Sequence, residues 1–335
     1  MIQIIAHPKG LEECVVTTPK GVLFSFLNVG ATWLKWQLKD GTDLVARYLE
    51  MDQYRKPGMY LGTTVGPNAG RIENAIFSLN GVRYEMGTSP ANFLHSGKYG
   101  ISFQPFELVE HLEVNGVATL KYHLEVEETG FPGKRSYDIT YVVSNDGVKI
   151  YFDATSDELT LCNLTNHAYF NLEGDFSGNA AYHQLQVNAS CVVMVNDEFI
   201  GKTIVPIQES VLDFSQGANV VGMASQPLLD QHEVKGVDHY FIFDSSLSKR
   251  AILSSMRSGR QLTMETDYPG VTVYSTNYPN DTLIQTGEVL GFRSCVCLEA
   301  SYASNAINDS RLEAGLCGPD RPYHHWISFT LEEPR

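Results

Sequence analysis

Between Cys162 and Gly174 the chain reads Cys-Asn-Leu-Thr-Asn-His-Ala-Tyr-Phe-Asn-Leu-Glu-Gly. A half-buried strand should alternate apolar and polar residues, yet here Asn163, Asn166, His167 and Asn171 sit among Leu164, Tyr169, Phe170 and Leu172. Leaving one such polar group buried and unpaired costs about 1–3 kcal/mol, so these amides and the imidazole must be hydrogen-bonded to one another or face a polar ligand such as a sugar hydroxyl. A histidine satisfied by neighbouring amides at a strand end is the structural alternative.

Further positions along the chain carry chemistry. Glu299 ends the apolar run Cys295-Val296-Cys297-Leu298, and a buried carboxylate there must stand at a strand mouth in a site or pair with an arginine. Asp238 and His239 open the apolar run ending at Phe243. Arg71 follows the glycine-rich segment Gly62 to Gly70. That segment lacks the Lys-Ser/Thr end of a phosphate-binding loop and any following helix pattern, so taken alone Arg71 reads as a structural hydrogen-bond donor. His95, in Asn92-Phe93-Leu94-His95-Ser96-Gly97, reads by itself as an exposed loop histidine. His324 and His325 are adjacent on a closing strand and so point to opposite faces, which is poor geometry for a shared metal.

The elements that must position these groups are strands. Period-two alternation predicts strands at Val22–Leu27 and Thr32–Leu38, a hairpin of Ala75–Leu79 with Val82–Met86 around Asn80-Gly81, and a meander from Phe106 through Val117–Glu127 and Tyr137–Val143 to Val148–Ala154. Further strands are expected at Tyr182–Ala189, Val192–Val195, Asp238–Phe243, Ala251–Leu253, Gln261–Glu265, Val271–Thr276, Cys295–Ala300 and Tyr323–Thr330. Leu44–Leu49 fits a short strand or a helix, and 200–213 reads as a loop with short β pieces around Pro206. Phe131-Pro132-Gly133 is a rigid turn whose aromatic either anchors the loop or offers a stacking surface. No long helical periodicity appears, so the chain is expected to be an all-β antiparallel sandwich. No linker, repeat or low-complexity segment divides it, and residues 1–335 are expected to form a single domain.

Composition narrows the partners. Asp plus Glu number 39 against 24 Lys plus Arg, a net charge of −15 with no basic cluster, which excludes nucleic acid and anionic membranes as partners. Aromatics make up 11%, with 17 Tyr and 16 Phe, enough for sheet-on-sheet packing and a stacking surface under a flat ligand. The start has no basic region before an apolar one, and no segment has about 18 uninterrupted apolar residues. Six cysteines lie in apolar runs, not at disulfide-framework or zinc-ribbon spacings. A soluble cytoplasmic protein with reduced thiols is expected.

Six pieces in this order resemble the galactose mutarotase (aldose 1-epimerase) family over most of the chain: Gly66 through Arg71-Ile72 with the Asn80-Gly81 hairpin; Asn92 to Gly97; Phe131-Pro132-Gly133; Asn163 to Gly174; Gly236-Val237-Asp238-His239; and Cys297-Leu298-Glu299 with Asn305-Ala306-Ile307-Asn308. The resemblance implies one large antiparallel β-sandwich, the mutarotase-like supersandwich, whose open cleft interconverts the anomers of free aldoses such as galactose and glucose without cofactor or metal. It places the general acid on His167, the general base on Glu299, and substrate binding on Arg71, His95 and Asp238. Many relatives carry arginine where this chain has Pro67, often asparagine at Gly70, and a Pro-Asp pair at Ser304-Asn305. These departures bear on sugar preference and leave the chemistry residues intact.

The implied reaction opens the hemiacetal, turns the carbonyl by half a turn and closes the ring on its other face. A base takes the anomeric hydroxyl's proton while an acid protonates the ring oxygen, and the roles reverse on closing. An ordinary imidazole pKa of about 6.5 suits the acid role, and Glu299 suits the base role if ionised. Rival readings are epimerisation at the reducing end of maltose or lactose, or of a hexose 6-phosphate, which would want more basic residues at the cleft. A glycosidase would use two carboxylates, and a non-catalytic sugar-binding sandwich would have no use for an acid and a base. A monomer and a homodimer both fit the sequence.

Overall fold

The computed structural model describes residues 1–87, 92–127, 129–230 and 233–334. Three antiparallel sheets dominate. The first has four strands in sequence order, Ile2–His7, Leu11–Thr17, Leu23–Leu27 and Thr32–Gln37. The second has nine, ordered Glu107–Val114, Val117–Val126, Arg135–Val143, Gly147–Ser156, Tyr323–Glu332, Gln261–Thr266, Arg250–Ser255, His183–Val187 and Ala218–Asn219. The third has six, ordered Tyr169–Phe170, Val296–Ser301, Gly270–Tyr274, Asp238–Phe243, Ala189–Val195 and Gly201–Pro206. One core joins them, drawing Phe24 and Phe26 from the first, Leu120, Ile139 and Phe152 from the second, and Phe241, Val271 and Leu298 from the third.

The expected all-β sandwich is what the chain adopts. α-Helix is confined, among the described residues, to Val220–Ala224 and Pro227–Asp230, and no helix is long and apolar enough to cross a membrane. The hairpins form at their turn residues. Asn80 and Gly81 take φ 50° and 77°, and Asn115 and Gly116 take 53° and 79°, the paired positive values that a two-residue turn matching strand twist demands.

Three expectations are corrected. Ile2–His7 and Leu11–Thr17 are strands outside the predicted set, because Glu12 and Glu13 break the alternation that marks a half-buried strand. Gly201–Pro206 is one regular strand paired with Ala189–Val195, longer than the short β pieces expected around Pro206. It sits at a sheet edge, where polar Lys202 and Thr203 and a terminal Pro206 are tolerated. Leu44 to Leu49 is neither strand nor helix and makes only isolated bridges at Val45 and Tyr48. Phe131 is fully buried against Phe77 and is therefore a loop anchor.

The six-stranded sheet carries the site because its two faces differ. Phe241, Val271, Val273, Val296, Leu298 and Ala300 point into the core. The alternate residues Asp238, Tyr240, Thr272, Tyr274, Glu299 and Ser301 point the other way, into a cleft. Cross-strand register sets Glu299 beside Thr272, Thr272 beside Tyr240, and Tyr274 beside Asp238, and directly opposed residues share a face.

Candidate active site

The segment around His167 is not one strand. It breaks into Thr165–Asn166, paired with Thr64–Val65, and Tyr169–Phe170, paired with Val296–Ser301. Its asparagines serve as backbone clamps. Asn163 Nδ2 donates to Ala69 O at 3.3 Å and Tyr302 O at 3.0 Å, and its Oδ1 accepts from Tyr302 N at 2.8 Å. Asn166 Nδ2 donates to Gly62 O at 2.9 Å, and Asn171 Nδ2 to Asp175 O and Ser294 O at 2.7 Å each. These bonds tie the amides to the protein's own backbone, although Asn166 Oδ1 is buried without a partner, and of the cluster's amides and imidazole only His167 lines the cleft.

The backbone of His167 is pinned from both sides, its N–H donating to Thr63 O at 3.0 Å and its carbonyl accepting from Gly62 N at 2.9 Å. Gly62 has φ +71°, and a Cβ there would lie 2.0 Å from Trp33 O, so only glycine lets this strand pass. The imidazole lies parallel to the Tyr169 ring at 5.0 Å, with Tyr60 on a near-parallel plane at 6.2 Å. Those aromatics strip water from the ring, and burial pushes its pKa down to about 3.

Opposite His167 stands Glu299. His167 Nε2 is 3.5 Å from Glu299 Oε2, beyond hydrogen-bond length. His167 Nδ1 is buried without a partner, and no donor among the described residues hydrogen-bonds the Glu299 carboxylate. Burial first, and then the nearby charge of Asp238, hold that carboxyl well above the usual carboxylate range. His167 and Glu299 are thus adjacent, and burial drives both toward their neutral forms. The ordinary imidazole pKa expected from sequence does not survive this environment.

His95, read as an exposed loop residue, is buried at 8% exposure, comparable with His167 at 6% and Glu299 at 5%. Its backbone N–H donates to Gly70 O at 2.9 Å, while Gly70 N–H donates to His95 Nδ1 at 3.1 Å. The Gly70 bond occupies the Nδ1 lone pair, so the neutral ring carries its proton on Nε2. Ligand atoms of His95, His167 and Glu299 lie within 4.8 Å of one another, a ligand set that suits zinc or non-haem iron. A metal would need a lone pair on His95 Nε2, and the Gly70 bond makes that nitrogen a donor. The set fits a hydroxyl-bearing ligand better than a cation.

Arg71 and Asp238 pair across the cleft, Nη1 to Oδ2 3.6 Å. Burial raises the Asp238 pKa and the Arg71 charge opposes that rise. Ser304 Oγ accepts from Arg71 N at 2.7 Å, which fixes the arginine's backbone to the loop after Glu299. The fold therefore gathers all five expected site residues in one cleft. Sequence reading had not identified the aromatic lining of Tyr60, Tyr169, Phe199, Tyr274 and Tyr278. Tyrosines and a phenylalanine line the cleft, while Trp33 and Trp36 are core residues. The one available signal for Phe199 was its place after the turn-forming run Asn196-Asp197-Glu198.

Residues 13–330 match the family described as Aldose 1-epimerase. The galactose mutarotase of Sus scrofa is 29% identical over 316 residues, covering 91% of this chain and 90% of that protein. The aldose 1-epimerase of Haemophilus influenzae is 30% identical over 336 residues, covering 97% of each. Among solved structures, a GalM/aldose epimerase homologue from C. elegans superposes with TM-score 0.85 at 26% identity over 100% of both chains. Galactose 1-epimerase from Lactobacillus acidophilus shares the fold with TM-score 0.87 at 22% identity, over 100% of this chain and 99% of that one. Sequence match and sheet architecture agree, and the chain belongs to the aldose 1-epimerase family.

Proposed function

We propose that the protein interconverts the α and β anomers of free aldoses such as galactose and glucose, with His167 and Glu299 exchanging protons with the sugar. The observation that carries this is the juxtaposition of His167 and Glu299, 3.5 Å apart and both buried, with His167 Nδ1 left without a partner. The pair holds one proton in its neutral form, and the ion pair of imidazolium and carboxylate has the same proton count. In the ion-pair form Glu299 takes the proton from the anomeric hydroxyl as His167 gives one to the ring oxygen. The C1–O5 bond breaks, and the enzyme is left as neutral imidazole and carboxylic acid. That is the form burial favours, so the free energy spent in forming the ion pair is returned as the ring opens. Rotation about C1–C2 and closure with the transfers reversed deliver the other anomer.

Arg71, His95 and Asp238 hold the remaining hydroxyls in this reading, with the guanidinium and carboxylate giving charge-assisted bonds and His95 Nε2–H donating. Arg71 is the only Lys or Arg among the described lining residues and is already engaged by Asp238, which argues against a phosphorylated hexose. The cleft draws on residues from Gly58 to Ser304, which supports reading the chain as one catalytic unit. Six unbridged cysteines, five of them buried, favour a reducing cytoplasm. Polarimetry of freshly dissolved α-galactose and α-glucose tests the proposal, and no acceleration by the protein would overturn it.

A further inference from the structure

Resting on that reading, we infer that Phe199 and Tyr278 close the far end of the cleft and restrict the enzyme to monosaccharides, rejecting aldoses that carry a second sugar on O4. With the anomeric hydroxyl and ring oxygen at His167 and Glu299, a pyranose directs C3 and C4 toward Arg71 and Asp238. Beyond Arg71 stand two aromatic rings. The Phe199 ring centroid lies 4.5 Å from the guanidinium carbon, and the Tyr278 ring meets Phe199 edge-on at 6.0 Å.

This roof is built, not draped. Phe199 has φ +62°, a conformation that a bulky side chain adopts only when its surroundings impose it. Asn196 imposes it: its Oδ1 accepts from Glu198 N at 3.1 Å and Ile200 N at 2.9 Å, and its carbonyl accepts from Phe199 N at 2.9 Å. Asn92 Nδ2 ties Glu198 O to the loop that carries His95, at 2.9 Å. The Tyr278 hydroxyl is buried without a partner, although a buried phenol normally finds one. A free hydroxyl at the distal end of a monosaccharide supplies that partner, and a glycosidic oxygen, having lost its hydrogen and gained a bulky substituent, does not.

The test compares kcat/KM for mutarotation of glucose, galactose, maltose and lactose in wild type, Phe199→Ala, Phe199→Leu and Tyr278→Phe. Wild type should handle maltose and lactose about tenfold or more worse than the monosaccharides. Phe199→Ala should narrow that gap to a few-fold, and Phe199→Leu, which keeps an apolar side chain for folding, should narrow it in part. Tyr278→Phe should raise KM for glucose more than it lowers kcat. Equal rates for monosaccharides and disaccharides in wild type, or a gap unchanged in both Phe199 variants, overturns the inference while leaving the proposed reaction standing. Inactivity toward all four sugars overturns the proposed reaction and this inference with it.

Discussion

Gly70 and Ser304 touch at the point where the arginine loop meets the loop after Glu299. A Cβ built on Gly70 would lie 2.8 Å from the Ser304 Cβ, and Gly70 has φ +77°. The same two residues hold Arg71 and His95 through backbone bonds to Ser304 Oγ and from Gly70. Both are positions that the family resemblance marks as departures, and in space the two are one feature.

Gly70→Ala should therefore destabilise by about 2 kcal/mol or more, since a left-handed alanine costs about 1–2 kcal/mol before any clash. Ser304→Gly added to it should recover part of the loss, with a coupling energy of about 0.5–3 kcal/mol expected for touching residues. Urea unfolding of the two single variants and the double variant measures this. Strict additivity would show that the contact is not energetically felt.

Glu299→Gln and His167→Asn should each lower kcat by about 10²–10⁴, the range for loss of one positioned acid or base. Circular dichroism and melting temperature should change little. The double variant should fall well short of the product of the two losses, because the residues share one proton cycle.

Removing one hydroxyl clamp should act mainly on kcat/KM. Asp238→Asn keeps the shape but forfeits a charge-assisted bond, worth about 1.5–3 kcal/mol when made to an ionised group. The expected loss is about 10- to 100-fold in kcat/KM for galactose. An unchanged value would remove Asp238 from the binding set.

The activity profile should lack an acid limb near the ordinary imidazole value. Burial holds His167 at about 3 and Glu299 well above the usual carboxylate range, so the one-proton state of the pair begins far below the ordinary imidazole value and ends above the usual carboxylate range. Activity should fall on the alkaline side, as the shared proton leaves the pair. A kcat/KM profile with a half-maximum near an unperturbed histidine would contradict this.

Stability should be acid-sensitive through histidines buried neutral. His183 accepts from Leu172 N at 2.8 Å, and burial lowers its pKa to about 4 from 6.5. The unfolded chain binds this proton below 6.5 and the native protein only near 4. The contribution is complete above the unfolded value and is lost as pH falls toward the folded one. Between pH 7 and 5 wild type should lose about 2 kcal/mol more than His183→Gln, by the linkage slope of one proton. Urea titrations at the two pH values give the difference directly.

Sequence alone determined what depends on near neighbours. Alternation fixed which residues of Asp238–Phe243 and Val296–Ser301 share a face, and Asn-Gly pairs fixed two hairpins, because both follow from backbone geometry over a few residues. Side-chain type named the reactive groups. Only the tertiary structure decided their state. The asparagines around His167 became clamps because Tyr302 and Ser294, 139 and 123 residues away, supply their partners. His95 became a buried donor because Gly70 takes its Nδ1. Phe199 joined the cleft because its turn packs over Arg71, and the pair of His167 and Glu299 lost its ordinary acidities because segments far apart in sequence exclude water from both. Desolvation sums over every neighbour in space, and chain order does not record that sum.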